Sequence, residues 1–389
     1  MTETGLKVVV IGGGIGGLFV ANALVARGFQ VSIYEQAPNL GEVGAGVFLT
    51  PNSVRQLQRV GLGQAVEQFG ARVGFCSQYF RHNGAPIAPV QVTDSAGWNA
   101  TFGMHRADLV EILASALPRD VIHTGHRCTG CEQRDDVARV SFANGVVAEG
   151  DVVIAADGIH SELRHKVTPP SHPVFSGSVA YRGVIPHDRI PSWPTDSWLM
   201  WLGKGKHFLT FPLRAGKLIN YVGFVPADEE MKESWSAPGD PNVLRREFAD
   251  WEPRIGSLLS QVSAMYDREP LLTWSRGRLT LLGDAAHPML PHLGQGANQS
   301  IEDGMALATI LARANRETVA LALLAYEGLR RERVSLIQRG ARENGLRYDS
   351  ANPDLGVRDA QIAAHAAFRR RLYDHDVVPE AEAASMSLE

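Results

Sequence analysis

The 389-residue chain is 44% hydrophobic and 21% charged, the make-up of a globular protein with room for one large and one smaller domain. Its formal net charge of -4 excludes a surface built chiefly for nucleic acid, which requires concentrated basic groups. Cys76, Cys128 and Cys131 are too few for a disulfide framework, and no further Cys or His pair completes a metal set around Cys128-x-x-Cys131.

No apolar run is long enough to span a bilayer, and glycines interrupt the run that follows Lys7. A cytoplasmic protein without signal peptide or membrane partner is therefore expected. The clusters Arg330, Arg331, Arg333 and Arg369, Arg370, Arg371 read as solvated helix faces.

In chain order, residues 7–11 form a short β-branched run that predicts a buried parallel strand. Glycines at 12–17 follow, then helical spacing over 18–27, a stop at Gly28 and a second strand over 30–35. This is a βαβ unit. Residues 51–60 predict a helix, and 75–101 a hairpin turning at His82-Asn83-Gly84. A helix over 106–117 and a strand over 121–123 precede a hairpin about Asn144-Gly145, with strands at 137–142 and 146–148. Residues 152–156 read as another buried strand.

Between 169 and 273 the alternating, proline- and tryptophan-containing segments predict an antiparallel sheet, with a helix near 243–248. A parallel-type strand returns at 278–282, followed by a helix over 299–311 and a mostly helical tail to about 371. The expected fold is α/β, with a discontinuous Rossmann-type domain at 1–72, 100–172 and 274–330. An antiparallel-sheet domain at 73–99 and 173–273 is inserted into it, and a helical C-terminal segment covers 331–389.

Gly12, Gly14 and Gly17 place G-x-G-x-x-G between a strand and a helix. The first glycine permits a tight turn, the second admits a pyrophosphate and the third allows close helix packing, while the helix N-terminus offers N–H groups to phosphate. Glu35 ends the second strand where an acidic group accepts from a ribose hydroxyl. Two later strands also end in aspartate, at Ala156-Asp157-Gly158 and at Gly283-Asp284-Ala285. A nicotinamide dehydrogenase needs neither, so a flavin dinucleotide is the better reading.

With these three motifs in order and spacing, nearly the whole chain resembles the group A flavoprotein aromatic hydroxylases, the para-hydroxybenzoate hydroxylase-like enzymes that include salicylate, 3-hydroxybenzoate and 6-hydroxynicotinate hydroxylases. The resemblance implies FAD at Gly12, Gly14, Gly17 and Glu35. It also implies support from Arg106, contact of Asp157 with both FAD and NAD(P)H, and Asp284 at the ribityl chain. The loop at Gly44-Ala45-Gly46 and the turn at Gly296, Ala297 and Asn298 are implied to lie against the flavin. The implied reaction is hydroxylation of a small aromatic or N-heteroaromatic acid, with or without decarboxylation, by NAD(P)H and O₂ through a flavin C4a-hydroperoxide.

His292 and His207 are the candidates for accepting a phenolic proton, since an imidazole titrates near neutrality. Phe48 and Phe211 replace polar residues found in some hydroxynicotinate enzymes and make the pocket more apolar. Arg182 is a candidate for a substrate carboxylate or for the flavin. Trp198, Met200 and Trp201 read as sheet packing. NADH is favoured over NADPH because no basic cluster for a 2′-phosphate is evident, and the resemblance covers monomers and homodimers alike.

Other classes remain as alternatives. One is an FAD-dependent oxidoreductase without oxygen insertion, and another a flavin-binding regulator without turnover. A halogenase signature is absent, and Cys128-x-x-Cys131 lies away from the flavin motifs.

Overall fold

A computed structural model describes residues 5–41, 46–134, 136–170, 174–226, 245–255, 258, 263–350 and 355–388. Gly44 and Ala45, and positions 243 and 244 of an expected helix, lie outside the described residues; 245–247 are helical.

The chain opens with β1 (Lys7–Ile11), α1 (Ile15–Val25) and β2 (Gln30–Tyr34), the expected βαβ unit. Val8 to Ile11 are buried because β1 is an inner strand covered on both faces. Then come β3 (Gly46–Leu49), α2 (Pro51–Arg59), α3 (Gly63–Phe69), β4 (Ala71–Arg72), β5 (Gln78–Arg81) and β6 (Pro86–Pro89). After them run β7 (Phe102–His105), α4 (Arg106–Ser115) and β8 (Ile122–His123). β9 (Cys128–Gln133), β10 (Ala138–Phe142) and β11 (Val147–Gly150) make an antiparallel meander before β12 (Val152–Ala155) and α5 (Arg164–Val167).

The inserted region carries β13 (Val174–Pro186), β14 (Leu199–Gly203), β15 (Lys206–Leu213), β16 (Leu218–Pro226) and β17 (Ser263–Asp267). The chain then returns through β18 (Ser275–Arg276) and β19 (Leu279–Leu281). It finishes with α6 (Gly296–Leu311), α7 (Val319–Tyr348), α8 (Leu355–Ala364), α9 (Ala366–Asp374) and α10 (Val377–Ser385).

Among the described residues the first sheet has the order β18-β19-β12-β1-β2-β8, parallel except at its β18 edge. β1, β12 and β19 come from three distant stretches, so the discontinuous sheet expected from the sequence is present. The inserted sheet runs β17-β13-β16-β15-β14-β5-β6. It is antiparallel except for β14 against β5, where the early hairpin joins its edge in parallel.

Four readings are corrected. α6 begins at Gly296 rather than 299, so the end of the glycine-rich turn is the helix's first turn. α7 runs unbroken through the expected boundary at 330. Arg330 is 0% exposed and pairs with Glu302 and Asp303, both fully buried. Arg369 is 4% exposed, whereas Arg370 and Arg371 are on the surface as expected.

Cys128 and Cys131 are both buried free thiols. Residues three apart in a regular strand face opposite ways. A register shift opposite Ser141 and Phe142 restores both cysteines to the covered face.

Candidate active site

A single cavity of about 570 Å³ runs from the turn after β1 to the aromatic wall of the inserted sheet. At its first end, Gly12 adopts φ 107° and a Cβ there would lie 2.3 Å from the Ala156 carbonyl oxygen. A Cβ on Gly17 would lie 2.0 Å from the Gly12 oxygen, so the third glycine seats α1 against the turn rather than facing the cavity. Gly14 lines the cavity. The first turn of α1 carries no acidic side chain, which leaves its N–H groups available to an anion.

Glu35 lines the cavity with its carboxylate already oriented. Its Oε2 accepts from Gly13 N at 2.7 Å and its Oε1 from Ala37 N at 2.8 Å. Each oxygen keeps further acceptor capacity for a ribose hydroxyl.

Asp157 and Asp284 also border the cavity. Asp157 Oδ2 accepts from Glu162 N at 2.9 Å, while its Oδ1 is buried without a partner among the described residues. Burial raises the Asp157 pKa above the usual carboxylate value, opposed by hydrogen bonds from Ser161 and neighbouring backbone. Arg164, which the sequence reading passed over, fastens the two aspartate turns together. Its Nε donates to the Ala285 carbonyl at 2.7 Å, Nη2 to Asp284 O at 2.9 Å and Nη1 to Ile159 O at 2.8 Å. Burial pushes its pKa down to about 10.

Arg106, at the start of α4, and Arg182, on β13, both line the cavity. Burial lowers the Arg106 pKa, with Asp284 acting against that shift. Arg182 is pushed down to about 10 by burial and then by repulsion from Arg106. The two cations therefore influence one another, and Asp284 acts on Arg106.

Gly296 and Ala297 line the cavity at the N-terminus of α6. Asn298 does not: it is 0% exposed and its amide group is spent within the protein. Its Oδ1 accepts from Thr50 N at 3.0 Å, and its Nδ2 donates to Phe48 O at 2.8 Å and Gly294 O at 2.6 Å. The Asn298 side chain ties α2 and β3 to the glycine-rich turn instead of reaching a ligand. Gly46 lines the cavity in close contact with Phe211, where a Cβ would lie 2.7 Å from the ring, and its N–H donates to Asn220 Oδ1 at 2.9 Å.

The far end of the cavity is apolar. Phe48 meets Phe211 edge-on at 5.7 Å, and Trp198 lies 6.5 Å from Phe48. Strand alternation divides the tryptophans: Trp198 and Met200 face the cavity, whereas Trp201 packs into a separate core beyond the sheet. The packing role expected for all three holds fully only for Trp201.

His292 lines this chamber from the turn before α6. Its Nδ1 is buried without a partner among the described residues, and burial, then the nearby His207, hold its pKa well below the usual 6.5. His207 is fully buried behind it and is not part of the cavity lining. Its Nδ1 lies 2.6 Å from Asp349 Oδ1, its ring stacks on Phe224 at 4.0 Å, and its Nε2 lacks a partner among the described residues. The His207 and His292 rings are 5.2 Å apart. Thus His292 can touch a ligand, and His207 acts on it only through His292 or a bridging molecule.

The glycine cradle, the open helix start, the pre-oriented Glu35 and the unpartnered Asp157 oxygen fit a flavin dinucleotide. Among the described residues no group of His, Cys, Asp and Glu is arranged to hold a metal ion. No described helix is long and apolar enough to cross a membrane.

The model of an FAD binding domain family matches residues 5–341. A 3-amino-4-hydroxybenzoate 2-monooxygenase of Streptomyces platensis is 37% identical over 366 residues, 92% of this chain and 92% of that protein. A 6-hydroxynicotinate 3-monooxygenase of Bordetella bronchiseptica is 35% identical over 360 residues, 90% of this chain and 94% of that protein. A solved salicylate hydroxylase substrate complex has a TM-score of 0.85 at 27% identity, covering 98% of both chains.

Proposed function

Because the chain belongs to the FAD-binding aromatic hydroxylases, a family of flavoprotein monooxygenases, we propose that it hydroxylates a small hydroxylated aromatic or N-heteroaromatic acid with NAD(P)H and O₂. The observation that carries this reading is the continuity of the dinucleotide trough with an aromatic chamber that holds one cavity-facing histidine, His292.

When bound, FAD reduced by NAD(P)H supplies the activated oxygen. The protein's own work is positioning and proton transfer. Phe48, Phe211 and Trp198 hold a flat ring by apolar contact and exclude water. His292 is kept neutral by burial and accepts the proton of the substrate hydroxyl, which makes the ring more electron-rich. Asp349 fixes the His207 ring, which lies 5.2 Å from that of His292 and helps to hold it in place. Arg106, Arg182 and the N-terminus of α6 place positive potential beside the flavin.

Hydroxylated benzoates and hydroxynicotinates, tested one by one, should each either leave NAD(P)H oxidation at its basal rate or accelerate it. At least one is expected to accelerate it strongly. A panel without any accelerating acid would contradict the reading.

A further inference from the structure

Arg369 is a cavity-lining cation beside Trp198. It projects from α9 with 4% exposure. Its Nη2 donates to Tyr348 Oη at 3.3 Å, its Cζ lies 5.9 Å from the Trp198 ring centre, and its Nε is buried without a partner. The phenols of Tyr79, Tyr348 and Tyr373 surround it, and all three are buried. Among the described residues no carboxylate forms an ion pair with it.

A buried guanidinium without a counter-charge carries a desolvation cost of several kcal/mol. The same chain supplies Glu302 and Asp303 to buried Arg330 and Asp359 to buried Arg358, and gives buried Arg164 backbone carbonyls. The difference is location: Arg330 sits between helices, whereas Arg369 borders the cavity. Arg106 is influenced by Asp284 and Arg182 by Arg106, whereas the charge of Arg369 is influenced by Tyr79, Tyr348 and Tyr373.

Tyr348 connects this corner to the proposed base. Its oxygen accepts from Arg369 and, at 2.8 Å, from Asn344 Nδ2, and its ring lies 6.4 Å from His292. A ligand lying against Trp198 therefore shares its chamber with a fixed cation, Arg369, and an imidazole, His292.

We propose that Arg369 is the anchor for the substrate's carboxylate, its guanidinium fork supplying the counter-charge that the fold leaves out. This deepens the substrate class and rests on the reading of the cavity as an aromatic-acid site. The ligand it selects is an aryl carboxylate rather than a neutral phenol.

The test is calorimetric titration of the FAD-loaded enzyme with benzoate, salicylate and 6-hydroxynicotinate, each against its carboxamide. Wild type is expected to bind at least one acid roughly tenfold or more tightly than its amide, reflecting a charge-assisted contact. Arg369→Gln, with an unchanged flavin spectrum, is expected to weaken the acid by about 10- to 100-fold and leave the amide unaltered. Arg369→Lys should fall between them.

Equal affinity of wild type for acid and amide, or no binding of any acid, overturns the proposal without need of a variant. Acid affinity unchanged in Arg369→Gln overturns it as well. Turnover separates the two levels: acids that bind through Arg369 yet never stimulate NAD(P)H oxidation contradict the hydroxylase reading, whereas stimulated oxidation with unaltered affinity in the variant contradicts only the role of Arg369.

Discussion

The His207 Nδ1 lies 2.6 Å from Asp349 Oδ1, and this contact joins residues 142 positions apart. It orients a fully buried ring whose remaining nitrogen points away from any described partner and whose neighbour, 5.2 Å off, is His292. A carboxylate behind a histidine fixes its tautomer and ring orientation. Asp349→Asn is expected to keep FAD and KM near wild type while lowering kcat about tenfold. A merely structural contact would instead shift the melting temperature and leave kcat alone.

His292 carries the pH dependence. Burial, then His207, lowers its pKa well below the usual 6.5, so the neutral, proton-accepting form persists on the acid side of that value. The acid limb of kcat/KM should therefore lie well below pH 6.5, with protonation of His292 abolishing turnover as the pH falls through its lowered pKa. His292→Asn should cost roughly 10²- to 10⁴-fold in hydroxylation and remove this limb. A limb centred on an ordinary histidine value, or one unchanged in the variant, would contradict the assignment.

The buried network between α6 and α7, one layer behind the cavity wall at Gly283, predicts a large stability effect. Arg330 bonds to Glu302 at 2.7 Å and to Asp303 at 2.7 Å, and Asp303 also pairs with His287. Arg330→Met leaves two buried carboxylates undercompensated and should destabilise by about 3–5 kcal/mol in denaturant unfolding. Arg371→Met, on the exposed face of α9, should change stability by about 0.5 kcal/mol or less.

Thiol labelling discriminates the three cysteines. Burial pushes Cys128 and Cys131 up to about 11, whereas Cys76 is exposed. Iodoacetamide at mildly alkaline pH, followed by peptide mass mapping, should modify Cys76 and spare the other two, because the thiolate is the reactive species. Rapid modification of Cys131 in the native protein would show that the meander opens.

The cofactor half of the site was legible because its chemistry is local. Gly12, Gly14 and Gly17 lie within one turn, and Glu35, Asp157 and Asp284 each sit at or just beyond the end of a strand, where a short motif records position. The inserted sheet was legible for the same reason, from the segment 218–225, which forms most of a strand buried over nearly its whole length.

Tertiary partners were not legible. The run Arg369, Arg370, Arg371 looks uniformly solvated, and only the docking of α9 turns one of the three inward. Asn298 stood in a flavin-side motif, yet its side chain serves Thr50 and Phe48, 248 and 250 residues away. His207 and Asp349 lack any sequence signal for their pairing.

The most direct test of the central claim is turnover under isotopically labelled O₂ with the best-stimulating aromatic acid, following product mass alongside NAD(P)H consumed and H₂O₂ released. One labelled oxygen atom in the aromatic product, with close to one product per NAD(P)H, is the predicted result. Stimulated NAD(P)H oxidation that ends wholly in H₂O₂, or a product whose new oxygen is unlabelled, would contradict it.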